Sequence, residues 1–113
     1  MAYPYKHWRI DTDADNIAWL VFDRAGSSTN TLSTEVLGEF DRVLDDISAM
    51  NPRALVIRSG KDSGFIAGAD IEEFLEVKTA EDAKRMIRGG WDPFNKLEAL
   101  PFPTVALING FCM

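Results

Sequence analysis

The 113-residue sequence contains one cysteine, Cys112, and one histidine, His7. A lone thiol excludes a disulfide framework within the chain, and one thiol with one imidazole leaves too few ligands for a structural zinc site. The Ser/His and Cys/His pairs of nucleophilic catalysis have almost nothing to draw on for the same reason. Positive charge is also in short supply. Twelve Lys plus Arg face 18 Asp plus Glu, a net charge of -6, which argues against a nucleic-acid partner held by phosphate neutralisation. Arg24, Arg58, Lys61 and Lys78 are scattered near expected turns, read as solubilising residues, and are assigned no site role. No run approaches the roughly 18 apolar residues of a membrane span, and the first six residues have no long apolar stretch. These absences together point to a reducing, cytoplasmic setting.

The composition, 46% hydrophobic and 27% charged, is that of one globular unit or a piece of one. A unit this short buries a modest share of its surface, so uncovered sheet edges and self-association are expected. Residues 8–11 and 17–23 are β-rich and joined by a polar link, predicting a hairpin whose second strand is buried on both faces. Ser33 precedes a run in which Val36, Leu37, Phe40, Val43, Leu44 and Ile47 recur at three- and four-residue spacing, which predicts a capped amphipathic helix ending at Asn51-Pro52. Residues 54–57 follow as a buried strand, and 60–71 as a glycine-punctuated loop leading to a short acidic helix over 72–77. Thr79 with Asp82 predicts the cap of a second long helix with the stripe Ala83, Met86, Ile87, Trp91, Phe94 and Leu97, kinked or broken at Gly89-Gly90 and Pro93. Residues 104–108 read as another buried strand, turned by Asn109-Gly110.

Two loops could carry chemistry. In Phe65-Ile66-Ala67-Gly68-Ala69-Asp70-Ile71, small residues let a ligand approach the main chain just where a helix begins. Amides there could hydrogen-bond an oxygen that becomes negative during a reaction, with Asp70 capping the helix and stiffening the turn. Residues alone favour the plainer account, a tight turn with small side chains for packing. The loop from Ala25 to Asn30 has neither P-loop nor dinucleotide-binding spacing. Asp70, Glu72, Glu73 and Glu76 read as a solvated helix face, and Met86, Trp91 and Phe94 as core or subunit-contact residues. His7 has no visible partner, and Cys112 reads as a small buried apolar group.

Three stretches, in order, resemble the enoyl-coenzyme A (CoA) hydratase, or crotonase, superfamily. They are residues 17–24 with Asn30-Thr31-Leu32, the segment from Phe65 to Ile71, and Ala99-Leu100-Pro101 with the run from Pro103 to Gly110. The variant from Ala25 to Leu32 is most similar to the hydratase/isomerase half of multifunctional fatty-acid β-oxidation α-subunits. The resemblance implies an α/β fold, the incomplete N-terminal part of a spiral of stacked strand-strand-helix turns, with residues 1–113 a fragment of one such domain. It implies a parent protein that hydrates trans-2-enoyl-CoA to 3-hydroxyacyl-CoA. CoA would enter as part of the substrate, no prosthetic group would be bound, and NAD would serve only a downstream dehydrogenase part.

The CoA portion would lie along Ala67, Gly68, Ala69, Asp70, Ile71 and Glu72, with the Ala69 backbone N–H as one of two donors to the thioester oxygen. The second donor and two catalytic glutamates would lie beyond Met113, so the chain itself is expected to be inactive. Ser27 and Glu72 stand where many relatives carry basic residues, so the resemblance supplies no phosphate anchor there. Implied partners are an acyl-CoA thioester and either further copies of the chain, as a homo-oligomer, or a thiolase subunit in a β-oxidation complex. Enoyl isomerisation or thioester hydrolysis on the same loop, and a non-catalytic interaction module, remain alternatives.

Overall fold

The computed structural model describes residues 5–113. Strands β1 (Trp8–Thr12) and β2 (Ile17–Phe22) form the expected antiparallel hairpin, with Ile10 opposite Leu20. Asp13 closes its link, accepting from the Asp15 and Ile17 amides at 2.9 and 3.0 Å and from the Trp19 indole at 3.0 Å. The indole bond, and then the amide bonds, hold the Asp13 carboxyl below its ordinary range. Behind the hairpin, a two-residue strand β3 (Thr31–Leu32) leads into helix α1 (Thr34–Met50), which crosses over to strand β4 (Ala54–Ser59) in parallel pairing with β2.

Helix α1 starts where its cap predicts, the Ser33 hydroxyl accepting from the Val36 amide at 3.1 Å. It stops at Asn51, which adopts a left-handed φ of 48° ahead of Pro52. Its stripe is buried as the spacing predicts. Val36, Phe40, Val43, Leu44 and Ile47 meet Leu20, Phe22, Leu55 and Ile57 of the sheet, forming the core. Trp8 stacks on Phe22 and Phe40 at centroid distances of 4.3 and 4.8 Å, and its indole donates to the Val36 carbonyl at 3.1 Å. One buried residue on α1 escapes the apolar pattern. The Glu39 carboxylate accepts from the Lys6 and His7 amides, each at 2.9 Å, which offsets the cost of burying its charge.

His7 does have partners, contrary to expectation, and is buried. Its Nδ1 accepts from the Ala25 amide at 3.0 Å, so the ring proton sits on Nε2, which donates to Glu35 Oε1 at 2.6 Å. That bond, ahead of the nearby Lys6 charge, holds the Glu35 carboxyl below its ordinary range. The histidine thereby pins the loop after β2 to the helix that packs beneath it.

The glycine-punctuated segment is more ordered than a loop. It contains β5 (Gly64–Ile66) and β6 (Gly68–Ala69), followed by a helix α2 (Ile71–Phe74) shorter than expected. Helix α3 (Ala80–Glu98) is capped by Thr79, whose hydroxyl accepts from the Asp82 amide at 3.1 Å. Of the expected kink or break, the break is absent: the helix is continuous through Gly89, Gly90 and Pro93. The ring of Pro93 crowds the carbonyl four residues earlier, and that residue is Gly89, which adds no side chain to the strained turn. The α3 stripe is only partly covered: Phe94 meets Phe40 edge-on at 5.6 Å, while Ile87 and Trp91 stay exposed.

Strand β7 (Thr104–Leu107) completes a four-stranded sheet in the order β1-β2-β4-β7, and β8 (Phe111–Cys112) pairs in parallel with β5. The run expected as a buried strand is exposed along β7, and Cys112 is exposed rather than buried. Position explains both. The core that α1 packs against takes in residues of β1, β2 and β4 and none of β7 or β8, so both strands lie outside it. No helix among the described residues is long and apolar enough to cross a membrane.

These burials separate two kinds of apolar residue on the helices. Leu44→Ala is expected to cost about 3 kcal/mol of stability in urea denaturation, and Ile87→Ala less than about 0.5 kcal/mol. Equal losses would contradict the assignment of the core.

Candidate functional site

The parallel strands β2, β4 and β7 end together, Phe22 beside Ser59 and Arg58 beside Leu107. Ligands in open α/β sheets bind beyond such carboxyl ends, and the segments that leave these strands here build two grooves. Buried where those segments leave the sheet lies Asn30. Its carboxamide nitrogen reaches the Phe22 carbonyl, the Ser59 hydroxyl and the Phe65 carbonyl, each at 3.0 Å. Its side-chain oxygen accepts from the Arg24 amide at 2.9 Å, and its backbone carbonyl accepts from the Ala67 amide at 2.8 Å. One side chain thus ties the ends of β2 and β4 to β5, and its own backbone holds the start of the 67–72 segment.

That segment is held against β3. Thr31 lies beside Gly68 and Leu32 beside Ala69 in parallel register, and the Asp70 amide donates to the Leu32 carbonyl at 3.0 Å. In a parallel ladder where Leu32 lies beside Ala69 and accepts from the Asp70 amide, the Ala69 N–H is turned away from β3. Gly68 has a φ of 120°, a conformation that L side chains rarely adopt, and a methyl group built there would meet nothing within 4 Å. The glycine is required by the backbone, not by crowding. Asp70 caps α2 as expected, accepting from the Glu72 amide at 3.0 Å.

The acidic residues do not form one solvated face. Asp70 pairs with Arg24 at 2.9 Å, and Glu73 accepts from the Thr34 amide at 2.8 Å and the Thr34 hydroxyl at 2.9 Å, joining α2 to the first turn of α1. Glu72 and Glu76 are exposed. Arg24 and Lys61, assigned no role from the sequence, both belong to the site's framework. The Arg24 guanidinium also donates to the Thr31 hydroxyl, and Lys61 donates to Asp23 at 2.6 Å and to the Arg24 carbonyl at 2.9 Å. No local spacing marks these two cations, because their partners are brought together by the sheet.

Two grooves share the 67–72 segment. The polar one, about 490 Å³, is lined by Arg24, Ser27 and Thr31 on one side and by Ala67, Ala69, Asp70, Ile71 and Glu72 on the other. The second, about 520 Å³, lies between α1 and α3 and is mostly apolar, with Leu32, Leu37, Met86, Trp91 and Phe94 in its walls. Ala69 and Asp70 line both grooves. Of the six residues singled out from the sequence, Gly68 alone lines neither: its place is in the backbone turn.

The sequence profile of the family described as enoyl-CoA hydratase/isomerase matches residues 12–113. A fatty acid oxidation complex subunit alpha from Shewanella halifaxensis is 45% identical over 96% of the chain, and one from Aliivibrio fischeri is 39% identical over 89%. The chain spans about 15% of the length of these relatives. Among solved structures, an enoyl-CoA hydratase from Bacillus anthracis superimposes with a TM-score of 0.80 at 25% identity, over 92% of this chain and 40% of that one.

Two substitutions separate the constraints on the shared segment. Asn30→Ala leaves several buried partners unsatisfied and is expected to cost about 3 kcal/mol in urea denaturation. Gly68→Ala is expected to cost about 1–3 kcal/mol through its backbone conformation alone. A neutral Asn30→Ala would refute the role given to that side chain, and a neutral Gly68→Ala the role given to that turn.

Proposed function

The chain belongs to the enoyl-CoA hydratase/isomerase family, and from that premise we propose that it forms the first part of a crotonase-type domain whose full-length protein hydrates trans-2-enoyl-CoA in fatty-acid β-oxidation. One observation carries the reading: Ala69 lines both a polar and a mostly apolar groove, and its amide points away from the strand that holds it. An acyl-CoA thioester has the matching layout. Its polar CoA portion would lie along Ala67, Ala69, Asp70, Ile71 and Glu72, its acyl chain between α1 and α3, and its thioester carbonyl at the junction.

Adding water across the C2–C3 double bond places hydroxide on C3 and leaves negative charge shared between C2 and the thioester oxygen, until C2 takes a proton. A fixed N–H at that oxygen stabilises the charged stage more than the substrate, and loss of one such donor typically costs about 2.7–4 kcal/mol. Ala69 would supply that hydrogen bond. The carboxylates that deliver water and the α-proton, and the second donor, are proposed to follow Met113 in the full-length protein. Ser27 and Glu72 in the polar groove supply no positive charge, so the phosphates of CoA would be held elsewhere than at those two positions.

A cytoplasmic protein belongs to the same proposal, working with further copies of itself or with a thiolase subunit in a β-oxidation complex. The relatives named as fatty acid oxidation complex subunits support assembly into a complex. NAD would serve only a separate dehydrogenase part. Enoyl isomerisation is the alternative chemistry, supported by the family's joint description as hydratase/isomerase.

Titration calorimetry and a hydration assay test the proposal. The 113-residue chain is expected to bind 2-enoyl-CoA without turning it over, whereas the full-length protein converts 2-enoyl-CoA to the 3-hydroxy product. Turnover by the chain alone would refute the assignment of the carboxylates. Conversion of 3-enoyl but not 2-enoyl thioesters by the full-length protein would establish the isomerase instead.

A further inference from the structure

We propose that Arg24 is a positioning residue: it aims the Ala69 N–H by gripping Asp70, the next residue along, and it does not bind CoA itself. The inference deepens the thioester reading above and rests on it. The guanidinium spans the gap between the two segments that border the polar groove. One nitrogen donates to the Thr31 hydroxyl on β3, and another pairs with Asp70 Oδ2 at 2.9 Å. Both partners of the ion pair are mostly withdrawn from water, with side chains 23% and 16% exposed, so screening weakens it less than it would a surface pair.

The backbone of Arg24 is fixed as firmly as its side chain. Its amide donates to Asn30 Oδ1 at 2.9 Å and its carbonyl accepts from Lys61 at 2.9 Å. The backbone of Asp70 is tied to Leu32 through its amide at 3.0 Å and to the Glu73 amide through its carbonyl at 3.2 Å, but apart from Arg24 its side chain holds only the Glu72 amide of the four-residue helix α2. Gly68, on the other side of Ala69, has no side chain with which to brace the turn. The direction of the Ala69 amide therefore depends on Asp70 staying in place, and Arg24 is the charged group that keeps it there. A guanidinium suits this task because its planar fork meets two acceptors at once, which an ammonium group does not do with fixed geometry.

The test uses Arg24→Met, Arg24→Lys and Asp70→Asn in the 113-residue chain. Hydrogen exchange is measured first, without ligand. Arg24→Met is expected to speed exchange of the Asp70 amide by about tenfold or more while the Leu20 and Val43 amides keep their rates, with Arg24→Lys intermediate. Unchanged exchange at Asp70, or an equal rise at all three amides, would overturn the proposal. The second readout is the carbonyl stretch of bound 2-enoyl-CoA, compared with the affinity for free CoA. In Arg24→Met and Asp70→Asn the carbonyl is expected to lose the downshift seen with the unmodified chain, while in Arg24→Met the Kd for CoA stays within about threefold. A parallel loss of CoA affinity in Arg24→Met would make Arg24 a direct ligand contact and overturn the positioning role. If the unmodified chain shows no carbonyl shift while Asp70 exchange responds to Arg24→Met, the thioester reading fails and the grip on the segment stands.

Discussion

The buried carboxamide of Asn30 joins the paired ends of β2 and β4 to segments that the ladder of the four-stranded sheet does not reach. An amide side chain removed from water must find partners for its donors and its acceptor, and here they are supplied by Phe22, Ser59, Phe65 and Arg24. Those residues stand at the end of β2, the end of β4, within β5 and at the start of the loop after β2. Satisfying one polar group therefore fixes where each segment leaves the sheet. Both grooves follow from that arrangement, since the 67–72 segment hangs from the Asn30 carbonyl at its start and lies along β3 beyond it.

Charge plays a second part that the core does not. The hydrophobic layer between α1 and the sheet sets the scaffold, and its partly buried margin at Leu32 and Leu37 runs into the wall of the apolar groove. Beyond it, pairs that are partly shielded from water take over: Arg24 with Asp70, Lys61 with Asp23, and His7 between Glu35 and the Ala25 amide. Each links the segment after β2 to another element. A chain with a net charge of -6 thus places two of its twelve Lys and Arg, Arg24 and Lys61, where they organise the site.

Much of the scaffold was legible because it obeys periodicity. The spacing from Val36 to Ile47 specifies one helical stripe, Ser33 and Thr79 announce caps, and the β-rich runs mark the hairpin. The errors have a common cause, which is that pattern shows an element's apolar character but not what lies against it. Residues 104–107 carry the composition of a buried strand and lie at the sheet's edge. Short strands such as β6, with two residues, leave no period to detect. His7, Arg24, Glu39 and Lys61 were opaque for another reason: their partners are distant in sequence. The segment from Phe65 to Ile71 stood out by its small residues ahead of a helix, but only family resemblance favoured ligand approach over packing there.

The most direct measurement is a crystal structure of the full-length protein with an unreactive 2-enoyl-CoA analogue bound. The account predicts the thioester oxygen within about 3.1 Å of the Ala69 nitrogen, the CoA portion in the polar groove and the acyl chain between α1 and α3. An analogue whose carbonyl oxygen lies beyond hydrogen-bonding distance of Ala69, or whose acyl chain avoids the apolar groove, would contradict it.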